Sequence, residues 1–63
     1  MGIYHQFWLK VVESTSYLSA GEVVFCIHDD GEEFRVKSSG THCGVNEFVF
    51  ENDRRKNFKI YGE

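Results

Sequence analysis

Proline is absent from the 63 residues, and methionine and tryptophan occur once each. Composition does not shift along the chain, so neither a linker nor a low-complexity segment divides it, and no repeat is visible. No apolar run approaches the length of a membrane span. The N-terminus lacks a charged segment followed by an apolar stretch and a small-residue cleavage site, so the expected location is intracellular, in the cytoplasm, with no membrane partner. Cysteine is sparse: Cys26 and Cys43 are too few for a disulfide framework, and two buried or half-buried thiols are favoured over a bridge. A basic excess is missing too. The formal charge is −3, which argues against a broad nucleic-acid-binding face; the exception is local, Arg54-Arg55-Lys56 with Lys59 close behind.

Length sets the next bound. Residues 1–63 make one small domain, and a domain of this size buries only about 60% of the surface of its unfolded chain. Ordering it costs roughly 1.5 kcal/mol per residue, on the order of 95 kcal/mol, which a small core only just offsets. Chains this small commonly add disulfides, a metal or a partner chain, and an aromatic content of 16% is high enough to cover an interface as well as a core.

What is present is periodicity of two. Residues 22–28 form the longest apolar run, closed by Asp29-Asp30-Gly31, a strong hairpin signal. They read as the central strand, with Val23, Phe25 and Ile27 on one face and Val24, Cys26 and His28 on the other, both covered. Residues 4–12 read as a strand with Phe7, Leu9 and Val11 inward and Tyr4, Gln6, Trp8, Lys10 and Val12 on the opposite side. Residues 14–21 read as a loop that folds Tyr17 and Leu18 back onto the sheet. Residues 32–37 return with Phe34 and Val36 inward, 38–44 form a loop, 47–51 a strand with Phe48 and Phe50 inward, and 57–61 a strand with Phe58 and Ile60 on its apolar side. Five short strands with turn signals between them predict an all-β unit: a small five-stranded antiparallel sheet folded as an Ig-like sandwich or a small SH3/OB-like barrel.

Each chemical motif has a plainer reading. Cys26 and His28 share a strand face and, with His42 and Cys43, have the ligand types of a zinc site, but not the spacing of a ribbon or finger, so no metal is expected. Cys43 in a glycine-flanked loop with His28 or His42 as base suggests a nucleophile, yet catalysis also needs an oxyanion site across a pocket that so small a sheet rarely encloses. Neither enzyme activity nor a cofactor is expected. Asp29, Asp30, Glu32 and Glu33 read as a solvated hairpin tip rather than a calcium loop. The triplet Arg54, Arg55 and Lys56 has the charge to meet phosphate, and aromatics on a small barrel stack bases in many single-strand binders. Against that stand the acidic balance and the absence of basic residues interleaved on the aromatic face. Trp8 with Tyr4 is the favoured contact surface.

The run Trp8-Leu-Lys-Val-Val, Val23-Val-Phe-Cys-Ile-His28, Phe34-Arg-Val-Lys, Ser39-Gly40 and Gly44-Val-Asn-Glu-Phe48 is similar to the strand order of YEATS domains, particularly the short prokaryotic kind. That resemblance implies an Ig-like sandwich presenting loops for ligand or protein recognition, and it carries over His28 as the strand-end histidine. The family's Ser/Thr-Phe-Pro segment is replaced here by Asp29-Asp30-Gly31, and Thr41, His42 and Cys43 stand where the family has an aromatic between two glycines. The aromatic walls of an acyl-lysine cage are therefore missing, and that activity is not carried over.

The function expected from these readings is a non-enzymatic protein–protein interaction module, self-associating or not, that uses the aromatic face around Trp8. Partner-binding residues are Tyr4, Trp8, His28, Arg54, Arg55 and Lys56. One alternative is an acidic inhibitor or mimic whose carboxylates around 29–33 and 47–51 occupy a basic site on a partner. The other is a single-stranded nucleic-acid-binding barrel using Arg54, Arg55 and Lys56.

Overall fold

The structure, a computed structural model, describes residues 3–42 and 44–62. Five strands, β1 (Trp8–Val11), β2 (Val23–Asp29), β3 (Glu33–His42), β4 (Val45–Glu51) and β5 (Phe58–Ile60), form one antiparallel sheet in the order β4-β3-β2-β1-β5. The expected central strand is central. A 3-10 helix, Asn52–Asn57, joins β4 to β5.

The sheet is strongly curled. β4 and β5 are its opposite edges, four inter-strand steps of about 4.8 Å apart if flat, roughly 19 Å. Yet the rings of Phe50 on β4 and Phe58 on β5 have centroids only 5.2 Å apart. The buried face wraps around Leu9, Val11, Val24, Val36 and the aromatics Phe34, Phe48, Phe50 and Phe58. The 3-10 helix spans the gap between the two edges, which are not joined in a ladder, so the barrel stays open. One sheet supplies all five strands; loops and the 3-10 turn, rather than a second sheet, cover its buried side.

The loop at residues 12–22 folds back as expected. Leu18 is buried, and Tyr17, though exposed, stacks on Phe48 with ring centroids 5.3 Å apart. Thr15 Oγ1 accepts hydrogen bonds from the Tyr17 and Leu18 amides at 3.2 and 2.9 Å, which shapes the bend locally. Asn57 ties the loop down. Its Nδ2 donates to the carbonyls of Glu13 and Ser14 at 3.1 and 3.2 Å, and its own carbonyl accepts from the Val12 and Glu13 amides.

Three local expectations are corrected. The first strand begins at Trp8 rather than Tyr4, because residues 3–6 turn through Gln6 at a φ of 67°. That left-handed residue breaks the alternation and sends Tyr4 into the core, where it is 7% exposed, while Phe7 is left outside. The strand β3 continues to His42 through the expected loop: Ser38 pairs opposite Val24 and is buried, and His42 pairs with Val45 across a tip where Gly44 has a φ of 82°.

The third correction concerns β2. Its register with β3 runs Val24 to Ser38, Phe25 to Lys37 and Cys26 to Val36, then resumes as His28 to Arg35 and Asp29 to Phe34. Ile27 is thus an extra residue, a bulge, and a bulge reverses the facing of everything beyond it. His28 moves out to solvent instead of sharing a face with Cys26, and Asp29 moves into the core.

Candidate functional site

The bulge creates a polar knot inside the apolar core. The Asp29 carboxylate has 0% side-chain exposure and is gripped by Arg55, whose Nη1 and Nη2 donate to its two oxygens at 2.7 and 2.6 Å. The Tyr4 and Gly31 amides donate to the same oxygens, each at 3.0 Å. Two carboxylate oxygens offer about four acceptor positions, and these four donors fill them. The guanidinium lies over the rings of Tyr4 and Phe34, at 5.1 and 5.0 Å from their centroids. Tyr4 Oη closes the circuit by donating to the Arg55 carbonyl at 3.2 Å.

Arg55 therefore does not belong to a phosphate-binding triplet. Successive residues of a 3-10 helix point about 120° apart, so the run splits: Arg55 turns inward while Arg54 and Lys56 stay exposed. Nor is Asp29 part of a solvated tip. Asp30 remains there, with Oδ1 accepting from the Glu32 and Glu33 amides at 2.9 Å.

The hydrogen bonds from Arg55, chiefly, hold the Asp29 carboxyl well below the usual carboxylate range, and burial opposes them. Because the folded value is depressed, the pair's contribution to stability is complete above the unfolded carboxyl's pKa of about 4 and is lost as pH falls below it. The expected result is a urea midpoint flat from neutral pH to about pH 5 that drops steeply below pH 4. The double variant Asp29→Leu with Arg55→Met, which removes the pair without stranding either charge, should show a weaker drop. Equal acid sensitivity in the two would assign the effect to other carboxylates.

The outer face of the sheet carries a different set of residues. Trp8, 53% exposed, sits opposite Phe25 across the β1–β2 pair, with ring centroids 5.0 Å apart and planes at 67°. The β1–β5 register places Lys10 opposite Lys59, and one step on, Tyr61 beside Trp8, where the Tyr61 amide donates to the Trp8 carbonyl at 2.8 Å. Lys37 stands opposite Phe25 on the other flank. Three aromatics thus lie in a row, Tyr61 just past β5, Trp8 on β1 and Phe25 on β2, with Lys10, Lys59 and Lys37 next to them. The acids of this face lie toward β4, where Glu47 pairs opposite Lys37 and approaches Arg35 at 3.9 Å, and Glu33 pairs opposite Glu51.

Of the expected contact residues, Trp8 stands at the centre of this surface and Tyr4 is inside the core behind it. His28 is exposed on the outer side, its ring 6.2 Å from that of His5. Arg54 lines an open cleft of about 640 Å³ between the 3-10 helix, the end of β4 and the loop at residues 14–17, together with Tyr17, Glu51, Asp53 and Asn57. Cys26 is a buried free thiol, raised in pKa mainly by that burial. With Cys26 inside and His28 outside, the two do not share a strand face as expected; the His42 side chain and Cys43 lie outside the described residues. Among the described residues no cluster of three or more His, Cys, Asp or Glu is arranged to hold a metal, and no helix is long and apolar enough to cross a membrane.

Reading residues strand by strand missed Phe25, Lys10, Lys37 and Lys59 as members of the contact surface. Alternation places Lys10 on the Trp8 side and Lys37 outward. What it does not supply is the cross-strand register that sets them side by side. Compared with protein-family models, curated proteins and solved structures, the chain matches none of them.

Proposed function

We propose that this chain is a non-enzymatic interaction module that meets its partner through the outer sheet face centred on Trp8. The observation that carries the reading is the half-exposed indole, held edge-on by Phe25 and bordered by lysines on both flanks. A large aromatic left this open contributes less to the core than it would buried, and aromatic residues are what contact surfaces concentrate. The charged residue most perturbed by its surroundings, Asp29, has its acceptor positions filled by the protein itself, which favours binding over proton-transfer chemistry.

The same face argues for a partner other than a second copy. Lys10 and Lys59 are directly opposite one another, and like charges so placed already disfavour the fold slightly. An isologous contact would press two such patches together. A partner carrying negative charge instead relieves the repulsion.

The test offers the protein anionic chains of different kinds, polyglutamate, a sulfated polysaccharide and oligonucleotides, and follows the emission of its single tryptophan. At least one is expected to change Trp8 emission in a saturable way, with sedimentation showing a monomer beforehand. Trp8 silent to all of them, or buried in a stable dimer, would remove this reading.

A further inference from the structure

We infer that the partner is a single-stranded nucleic acid, its bases stacking on the Tyr61–Trp8–Phe25 row and its phosphates lying along Lys10, Lys59 and Lys37. This rests on the contact-surface reading above and narrows it to one class of ligand.

The face pairs two chemistries, rings and cations. An acidic peptide needs cations but has no use for a row of rings. A ligand that repeats a flat π surface and an anionic group along one chain uses both, and base–aromatic stacking tolerates any sequence. Neighbouring strands place successive positions of the row about 4.8 Å apart. The Trp8 and Phe25 rings meet at 67° rather than face to face, so they are not stacked shut against each other.

Net charge is −3, which hides a segregated surface. Glu33, Glu47 and Glu51 lie toward β4, whereas Lys10 and Lys59 stand together on β1 and β5, and Lys37 on β3 marks the boundary, opposite Phe25 on one side and Glu47 on the other. Among the described residues no carboxylate comes within ion-pair distance of Lys10 or Lys59. A polyanion is thereby guided along one half of the face and repelled from the other. Base-paired nucleic acid fits poorly, since its bases are already stacked and the rings would have nothing to receive.

Titration with an oligothymidylate at low salt should quench Trp8 emission to saturation, with the logarithm of the affinity falling against log salt at a slope of about −2, as expected for three phosphate contacts on a single strand. A duplex of the same length should bind more weakly, and polyglutamate should leave the emission unchanged. Trp8→Ala, followed by anisotropy of a labelled oligonucleotide, should weaken binding about tenfold or more. Lys10→Glu places opposite charges across the β1–β5 pair, so this variant should melt no lower than the parent and still lose binding, which separates ligand loss from misfolding.

Quenching by polyglutamate but not by the oligonucleotide would overturn the inference while leaving the contact surface standing. Binding that survives both Trp8→Ala and Lys10→Glu would also overturn it, placing the strand elsewhere, as at Arg54 and Lys56. Silence with every anionic chain would take the contact-surface reading down with it.

Discussion

Replacing Asp29 with alanine should leave no cooperatively folded protein at room temperature. The substitution strands the Arg55 guanidinium, 18% exposed, against the rings of Tyr4 and Phe34 with no counter-charge, and takes the acceptor from the Tyr4 and Gly31 amides. Removing one partner of a buried ion pair costs about 3–5 kcal/mol. Total stability for a chain of this length is roughly 3–9 kcal/mol, so the loss is comparable with the whole. The informative control is the double change Asp29→Leu with Arg55→Met. A buried pair is seldom worth more than apolar residues of its own size, so the double variant should recover much of what the single one loses. Urea denaturation followed by circular dichroism reads both. A cooperative Asp29→Ala transition within half a kilocalorie of the parent would mean that the pair is slack in solution.

Phe34→Ala comes next in size. Phe34 is fully buried at the point where the curled sheet closes on itself. Its ring meets Tyr4 edge-on at 5.5 Å, Phe58 edge-on at 5.2 Å and Phe50 at 5.7 Å, and it also receives the guanidinium. Truncating such a ring costs about 3–5 kcal/mol, part lost burial and part cavity. Phe34→Leu retains most of the volume and forfeits the ring-to-ring geometry, each such pair being worth about 0.5–1.5 kcal/mol. The leucine variant should therefore unfold cooperatively at reduced denaturant, whereas the alanine variant should show a broad, probe-dependent transition. Near-equal midpoints would show that volume alone matters at this position.

Much of the fold is legible without coordinates because period-two alternation is local. Phe48 with Phe50, Phe34 with Val36, and Phe58 with Ile60 all face the core as their spacing predicts, and Asp30-Gly31 forms the hairpin tip. The failures share one physical cause. Alternation assumes that no residue is inserted or reversed, and Ile27 and Gln6 each violate that. One displaces His28 and Asp29 to the opposite faces, and the other exchanges Tyr4 for Phe7. Arg55 was hidden for a different reason: its partner is 26 positions away and enters the core only through the bulge. The contact surface was half visible. Trp8 stands out alone in the sequence, but its neighbours Phe25, Lys37 and Lys59 come from three other strands, and linear charge counting averages Lys59 with acids on the far strands of the sheet.

The knot also joins remote parts of the polypeptide. Tyr4 binds a carbonyl 51 positions later, and β1 finds its second neighbour only in β5. A ribosome extruding this chain from its first residue therefore holds an incomplete sheet, one flank of Leu9 and Val11 uncovered, until the segment around Phe58 has emerged. Closure waits for Arg55 and Phe58 to follow, and a nascent form halted before Arg55 offers proteases and chaperones an unfinished surface.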